Sequence, residues 1–149
     1  MHQHDSQLLR NRVQEAFLED GILSQATQQF QPRSGQTDMA LAVADVISEG
    51  GSLVVEAGTG VGKTFAYLVP ALLSGERVLL STATKALQDQ LYARDLPRLV
   101  KALNLPVRLA LLKGRSSYLC THRMALAREA GVKEPEVDRA LAKGAALVR

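Results

Sequence analysis

The chain has 149 residues, of which 46% are hydrophobic and 22% charged, and a formal net charge of +3. This composition excludes a disordered or collagen-like protein. The longest apolar stretch, Phe65 to Leu73, is nine residues and contains Pro70, too short and too broken to span a membrane. One cysteine, Cys120, excludes an internal disulfide framework and suits a reducing cytosol. Met1-His2-Gln3-His4-Asp5 lacks the basic-then-apolar order of a secretory signal and reads as a disordered start. Residues 1–97 carry 7 basic and 11 acidic side chains, and residues 98–149 carry 11 and 4.

In chain order, Leu8 to Asp20 reads as a helix, with Leu9, Val13, Phe17 and Leu18 at helical spacing and Gly21 as a stop. Phe30-Gln31-Pro32-Arg33-Ser34-Gly35 is a turn-rich connector. A second helix runs from about Thr37 to Ser48, closed by Gly50-Gly51. Leu53-Val54-Val55 is a short apolar run bounded by glycines, which predicts a buried strand. The glycine-rich segment Ala57 to Gly62 leads into a helix over Lys63–Leu73. Arg77-Val78-Leu79-Leu80-Ser81 is a second strand candidate, and Val107 to Leu112 is a third. Between them Lys85 to Leu103 is helical with an interruption near Pro97. After Gly114 the pattern turns basic and helical, in Tyr118–Ala130 and Pro135–Val148. Strands alternating with helices predict an α/β fold with a parallel sheet.

The chemistry concentrates at Ala57-Gly58-Thr59-Gly60-Val61-Gly62-Lys63-Thr64. Glycines let backbone N–H groups curl around phosphate oxygens without a Cβ in the way. A helix starting at Lys63 adds its positive N-terminal end. Lys63 brings a mobile cation to the β- and γ-phosphates of ATP, and the Thr64 hydroxyl can complete a Mg²⁺ shell. Ala57 stands where the general phosphate-loop pattern has glycine. That departure argues against a GTPase or a small-molecule kinase and leaves the phosphate cradle intact.

Ala-Gly-Thr-Gly-x-Gly-Lys-Thr resembles motif I of superfamily 2 helicases, in which alanine commonly opens the loop. Arg33-x-x-Gln36, followed by Met39, lies upstream in the manner of the adenine-recognising Q-type motif of those helicases. An amide both donates and accepts, as the N6/N7 edge of adenine requires, although Gln36 alone would equally suit a solvated helix start. Ser81-Thr82-Ala83-Thr84-Lys85-Ala86-Leu87-Gln88 resembles motif Ia, which contacts single-stranded DNA. The resemblance makes Thr82, Thr84, Lys85 and Gln88 candidate DNA contacts, and ordinary N-capping by either threonine is compatible with that role. Lys113-Gly114-Arg115-Ser116-Ser117-Tyr118-Leu119-Cys120 resembles the entry to the iron–sulfur domain of the XPD/DinG helicase family. In that family this cysteine is the first of four ligands to a [4Fe–4S] cluster; without the other motifs it would read as a small core residue. Leu-Gln-Asp-Gln-Leu-Tyr-x-Arg-Asp-Leu-Pro, over residues 87–97, is similar to the YoaA branch of the DinG group.

The resemblance covers about Phe30 to Cys120 and implies an incomplete RecA-like first helicase lobe over 30–113. A helical segment over 1–29 precedes it, and the start of a helical iron–sulfur domain over 114–149 follows. It further implies ATP-driven 5′-to-3′ unwinding of single-stranded or forked DNA, a bacterial cytoplasmic role in repair or replication, and contact with proteins of those processes. No apolar run ends in Asp-Glu, no second cysteine occurs, and Arg149 falls inside a helical pattern. These features predict the N-terminal piece of a longer helicase, inactive by itself. The competing reading is a non-catalytic nucleotide- or DNA-binding module using the same loop. Arg115, Arg123, Arg128, Arg139 and Lys143 fit either a nucleic-acid backbone or a solvated helix face.

Overall fold

A computed structural model describes residues 2–26, 30–31, 33–131 and 134–147. Pro32 of the connector, and Val148 and Arg149 at the expected end of the last helix, lie outside the described residues. The chain divides into two compact units, one within residues 1–109 and one within 110–149.

The first unit is built from helices. Helix α1 spans His2–Ala16, so the chain is helical from its second residue where a disordered start was expected. A short α2, Ile22–Ala26, follows Gly21 and has no counterpart among the expected elements. Helix α3 spans Ser34–Glu49, and α4 spans Lys63–Leu73. Helix α5, Lys85–Gln90, passes through a π-helical turn, Leu91–Asp95, into α6, Leu96–Ala102. The expected interruption near Pro97 takes this form because a proline in the first turn of α6 has no N–H to give and crowds the preceding turn. A widened turn absorbs both effects without ending the helix.

Leu9, Val13 and Ala16 recur on one face of α1 and are buried, as is Phe17 just past its end. They meet α3 and α4, and α4 packs along α3. Ala40 and Ala44 are buried on α3, and side chains this small let the axes approach closely. Helix α4 buries Ala66, Leu68, Val69, Leu72 and Leu73, and α6 closes the core with Leu99. Two polar ties fix α1: Arg10 pairs with Asp45 of α3, and Arg12 Nη1 donates to the Leu73 carbonyl at 3.1 Å. The second tie satisfies a carbonyl that the C-terminus of α4 leaves unpaired.

No strand is present among the described residues, and the expected parallel sheet is therefore corrected. Leu53-Val54-Val55, residues 77–81 and residues 107–112 run as irregular chain. Val54 is 97% exposed and Leu79 90% exposed. An apolar run reports hydrophobicity, not what covers it, and strands gain their stability from neighbours. Here the helices bury their apolar stripes on one another, so no layer remains to cover these runs.

The second unit holds a 3₁₀ turn, Arg115–Ser117, helix α7, Thr121–Glu129, and helix α8, Pro135–Leu147. Helices α7 and α8 pack together at Gly144, where an added Cβ would lie 3.1 Å from Leu119 and 3.3 Å from the Met124 sulfur.

This packing separates two leucines that hydropathy alone treats alike. In the 149-residue chain Leu68→Ala should cost about 2–5 kcal/mol in urea unfolding. Leu79→Ala should change stability by less than about 0.5 kcal/mol. A large loss at Leu79 would mean that its run is covered after all.

Candidate functional site

The glycine-rich loop reaches α4 through two left-handed residues, Gly60 at φ 82° and Gly62 at φ 87°. Only glycine takes this conformation without strain. Gly62 is constrained twice, because a Cβ there would overlap the Gln36 amide, with the amide carbon 2.8 Å away. The turn delivers Lys63 as the first residue of an 11-residue helix, with the N-terminal N–H groups of α4 directed at the loop.

Four carbonyls of the loop accept from side-chain donors. Lys63 Nζ donates to Ala57 O at 2.6 Å and to Gly58 O at 2.7 Å. Arg33 Nη1 donates to Gly60 O, and Gln36 Nε2 donates to Gly62 O at 2.9 Å. Thr59 is exposed and Val61 half-buried, with Val61 reaching toward Gly35 of α3. Arg33 and Gln36, twenty-odd residues upstream in sequence, are thus bonded directly to the loop. Gln36 is only 4% exposed, which decides against a solvated helix start. Thr64 is half-buried beside Tyr67. Burial holds the Tyr67 phenol above the usual tyrosine range, the hydrogen bond with Thr64 opposes that, and the nearby Asp95 reinforces it.

Beside the loop lies a cavity of about 310 Å³. Arg33, Gln36, Val61, Gly62 and Thr64 line it, all of them sequence candidates. Four further lining residues, Gln90, Arg94, Asp95 and Arg98, come from the segment that joins α5 to α6. Their helical spacing and charge look like an ordinary solvated face. The available signal was Asp95, an acidic residue set among Leu91, Leu96 and Leu99. Phe30 and Phe65 contribute flat apolar surface of the kind that takes the face of a heterocycle. Phe30 is held by Phe17, with ring centroids 6.0 Å apart.

The candidate DNA contacts stand apart from this cavity. Thr84 caps α5 by accepting from Leu87 N at 3.2 Å, and Thr82 Oγ1 donates to Thr84 O at 3.3 Å. Lys85 is exposed and Gln88 half-buried on the same short helix. In the second unit Tyr118 Oη accepts from Lys113 N at 2.8 Å and so closes the loop leading to Cys120. Cys120 is exposed at the start of α7, where its carbonyl accepts from Met124 N at 2.9 Å. No group of three or more His, Cys, Asp or Glu side chains among the described residues could hold a metal. One thiol cannot hold a four-ligand cluster, so the residues present do not by themselves fit that group. Arg115, Arg123, Arg128, Arg139 and Lys143 are all exposed. No helix among the described residues is long and apolar enough to cross a membrane.

A left-handed glycine turn at the start of α4 beside a cavity of this lining is the arrangement seen in proteins of the phosphate-loop class. The family model for DEAD/DEAH box helicases matches residues 37–130, and the chain belongs to that family. Among curated proteins it is 53% identical over 114 residues to an ATP-dependent DNA helicase YoaA of Haemophilus influenzae, covering 76% of this chain and 18% of that protein. It is 56% identical over 108 residues to an ATP-dependent DNA helicase YoaA of Escherichia coli, covering 72% and 17%. An ATP-dependent helicase DinG of Mycobacterium tuberculosis is 53% identical over 100 residues, covering 62% and 15%. The chain therefore spans under a fifth of the length of these relatives. No solved structure matches it. Arg33 and Gln36 lie just outside the matched family range, yet both are bonded to the loop inside it.

The Gln36–Gly62 contact gives a direct test. Gly62→Ala should lower the unfolding free energy by roughly 1–3 kcal/mol, from the left-handed backbone and the displaced amide. Unchanged urea stability would contradict the packing described.

Proposed function

We propose that the chain is the ATP-binding part of a DNA helicase of the DinG type. The observation that carries this reading is the left-handed Gly60–Gly62 turn, which sets Lys63 at the start of α4 beside a cavity lined by Arg33 and Gln36. Phosphate oxygens take the N–H groups of Ala57 to Thr64 and the positive end of α4. Lys63 exchanges the Ala57 and Gly58 carbonyls for the β- and γ-phosphates, and Thr64 offers its hydroxyl to Mg²⁺. Gln36 reads the adenine edge while its bond to Gly62 ties base recognition to the loop. The names of the relatives support ATP and DNA as ligands.

Thr82, Thr84, Lys85 and Gln88 would meet the backbone of single-stranded or forked DNA, a contact independent of sequence. Residues 30–113 would form the ATP-binding domain after a helical segment over 1–29, and 114–149 would begin a cluster domain. Cys120 would supply one of four ligands to a [4Fe–4S] cluster, the other three coming from outside these residues. A soluble cytoplasmic role in repair or replication, with 5′-to-3′ polarity, follows from the same reading.

Lys63→Ala should abolish ATP binding, because the loop loses the cation that meets the phosphates; unchanged affinity in equilibrium titration would remove the assignment. The 149 residues should release no phosphate from ATP above background. The loop stabilises bound phosphate in ground and transition states alike, which does not lower the chemical barrier. The chain encodes no Asp-Glu motif to activate water, and an arginine finger alone is worth about 10³–10⁵ in rate. DNA-stimulated phosphate release that vanishes with Lys63→Ala would overturn this. In the longest form its gene encodes, Cys120→Ser should lose iron while retaining nucleotide binding, and a full iron complement would sink the ligand role.

A further inference from the structure

The cavity has a second polar wall, and its chemistry is specific. Asp95 is only 4% exposed, and both of its carboxylate oxygens are engaged. Oδ2 accepts from Gln90 Nε2 at 2.9 Å, and Oδ1 accepts from Arg94 Nε at 2.8 Å. The ion pair with Arg94 makes Asp95 an acceptor only, so the Gln90 amide must turn its nitrogen toward it. That orientation commits the nitrogen and leaves Oε1 as the acceptor of a residue that lines the cavity. Arg94 gives its Nε to Asp95 and retains its Nη donors, and the same bond raises the guanidinium pKa above the usual arginine value. One buried carboxylate therefore ties down both a side chain with an acceptor to spare and one with donors to spare. These residues sit on the π-helical turn Leu91–Asp95 and its flanks, and such turns recur at functional sites.

We infer that Gln90 and Arg94, held by Asp95 as a positioning residue, form a second base-reading wall that selects a 6-amino purine over a 6-keto purine. The amidine edge of adenine presents a donor at N6 beside an acceptor at N1. The lactam edge of hypoxanthine reverses both, with an acceptor at O6 and a donor at N1. An oxygen acceptor beside guanidinium donors complements the first edge and opposes the second. Gln36 reaches the same cavity from α3, where its Nε2 is likewise committed to an obligate acceptor, Gly62 O. Both amides thus have the nitrogen committed and the oxygen left to accept, and mispairing an oriented polar group is costlier than lacking a partner in water. The inference rests on the phosphate-loop reading and names what that site selects.

The experiment measures equilibrium binding of ATP and of inosine triphosphate, which differ only at the 6-position edge. It uses the longest form the gene encodes, with Gln90→Leu, Asp95→Asn and Lys63→Ala as variants. The unsubstituted protein should prefer ATP, and Gln90→Leu and Asp95→Asn should each narrow that preference about ten-fold. The preference for ATP over ADP should stay unchanged in both, which a general loss of structure would not leave intact. Gln90 is exposed, so its variant keeps the test valid even if Asp95→Asn fails to fold. Lys63→Ala should abolish binding of both triphosphates alike. An unchanged ATP-to-inosine-triphosphate ratio in folded Gln90→Leu would overturn the inference, as would equal binding of the two by the unsubstituted protein. If that protein bound neither, the phosphate-loop reading would fail, and the inference with it.

Discussion

The hydrogen bond from Gln36 Nε2 to the Gly62 carbonyl, 2.9 Å long, joins the first turn of α3 to the residue that opens α4. It sits where two long helices converge, and it requires that Gly62 carry no side chain. The left-handed backbone at Gly62 turns the loop into the helix, and the absent Cβ makes room for the amide. Cavity wall, glycine turn and helical core therefore share one residue pair. Helix α1 reinforces the junction from outside by packing on both α3 and α4, and Phe17 carries that support to Phe30 at the cavity.

Side chains around the loop pair with its carbonyls. Lys63, Arg33 and Gln36 donate to carbonyls of Ala57, Gly58, Gly60 and Gly62, so polar groups at the site are paired at modest net gain. On the proposed reading a triphosphate would replace the neutral acceptors of Lys63 by charged ones, and charge-assisted hydrogen bonds are roughly twice as strong as neutral ones. The same logic links base to phosphate, since moving Gln36 disturbs Gly62.

How much of this was legible in the sequence depended on the range of the interaction. Helix α4 was readable residue for residue, because a glycine-rich turn followed by Lys63 and an apolar run is local information. The glycine turn that precedes it was legible for the same reason. Gln36 was legible as a site residue only through its spacing from the loop, and its bond to Gly62 is a tertiary fact. The wall formed by Gln90, Arg94 and Asp95 was not legible at all, since it lies more than fifty residues from Gln36 on what resembles a solvated helix. The strand expectation at residues 53–55, 77–81 and 107–112 failed because periodicity cannot say whether a covering layer exists. The π-helical turn before Pro97 was foreshadowed only as a break.

The central claim is that the Gly60–Gly62 turn with Lys63 forms a triphosphate site whose base lies in the adjoining cavity. A structure determined with a non-hydrolysable ATP analogue tests it most directly. In that structure Lys63 Nζ should leave the Ala57 and Gly58 carbonyls for the β- and γ-phosphates, with the base between Phe30 or Phe65 and the Gln36 wall. An analogue bound elsewhere, or bound while Lys63 still holds those two carbonyls, would contradict it.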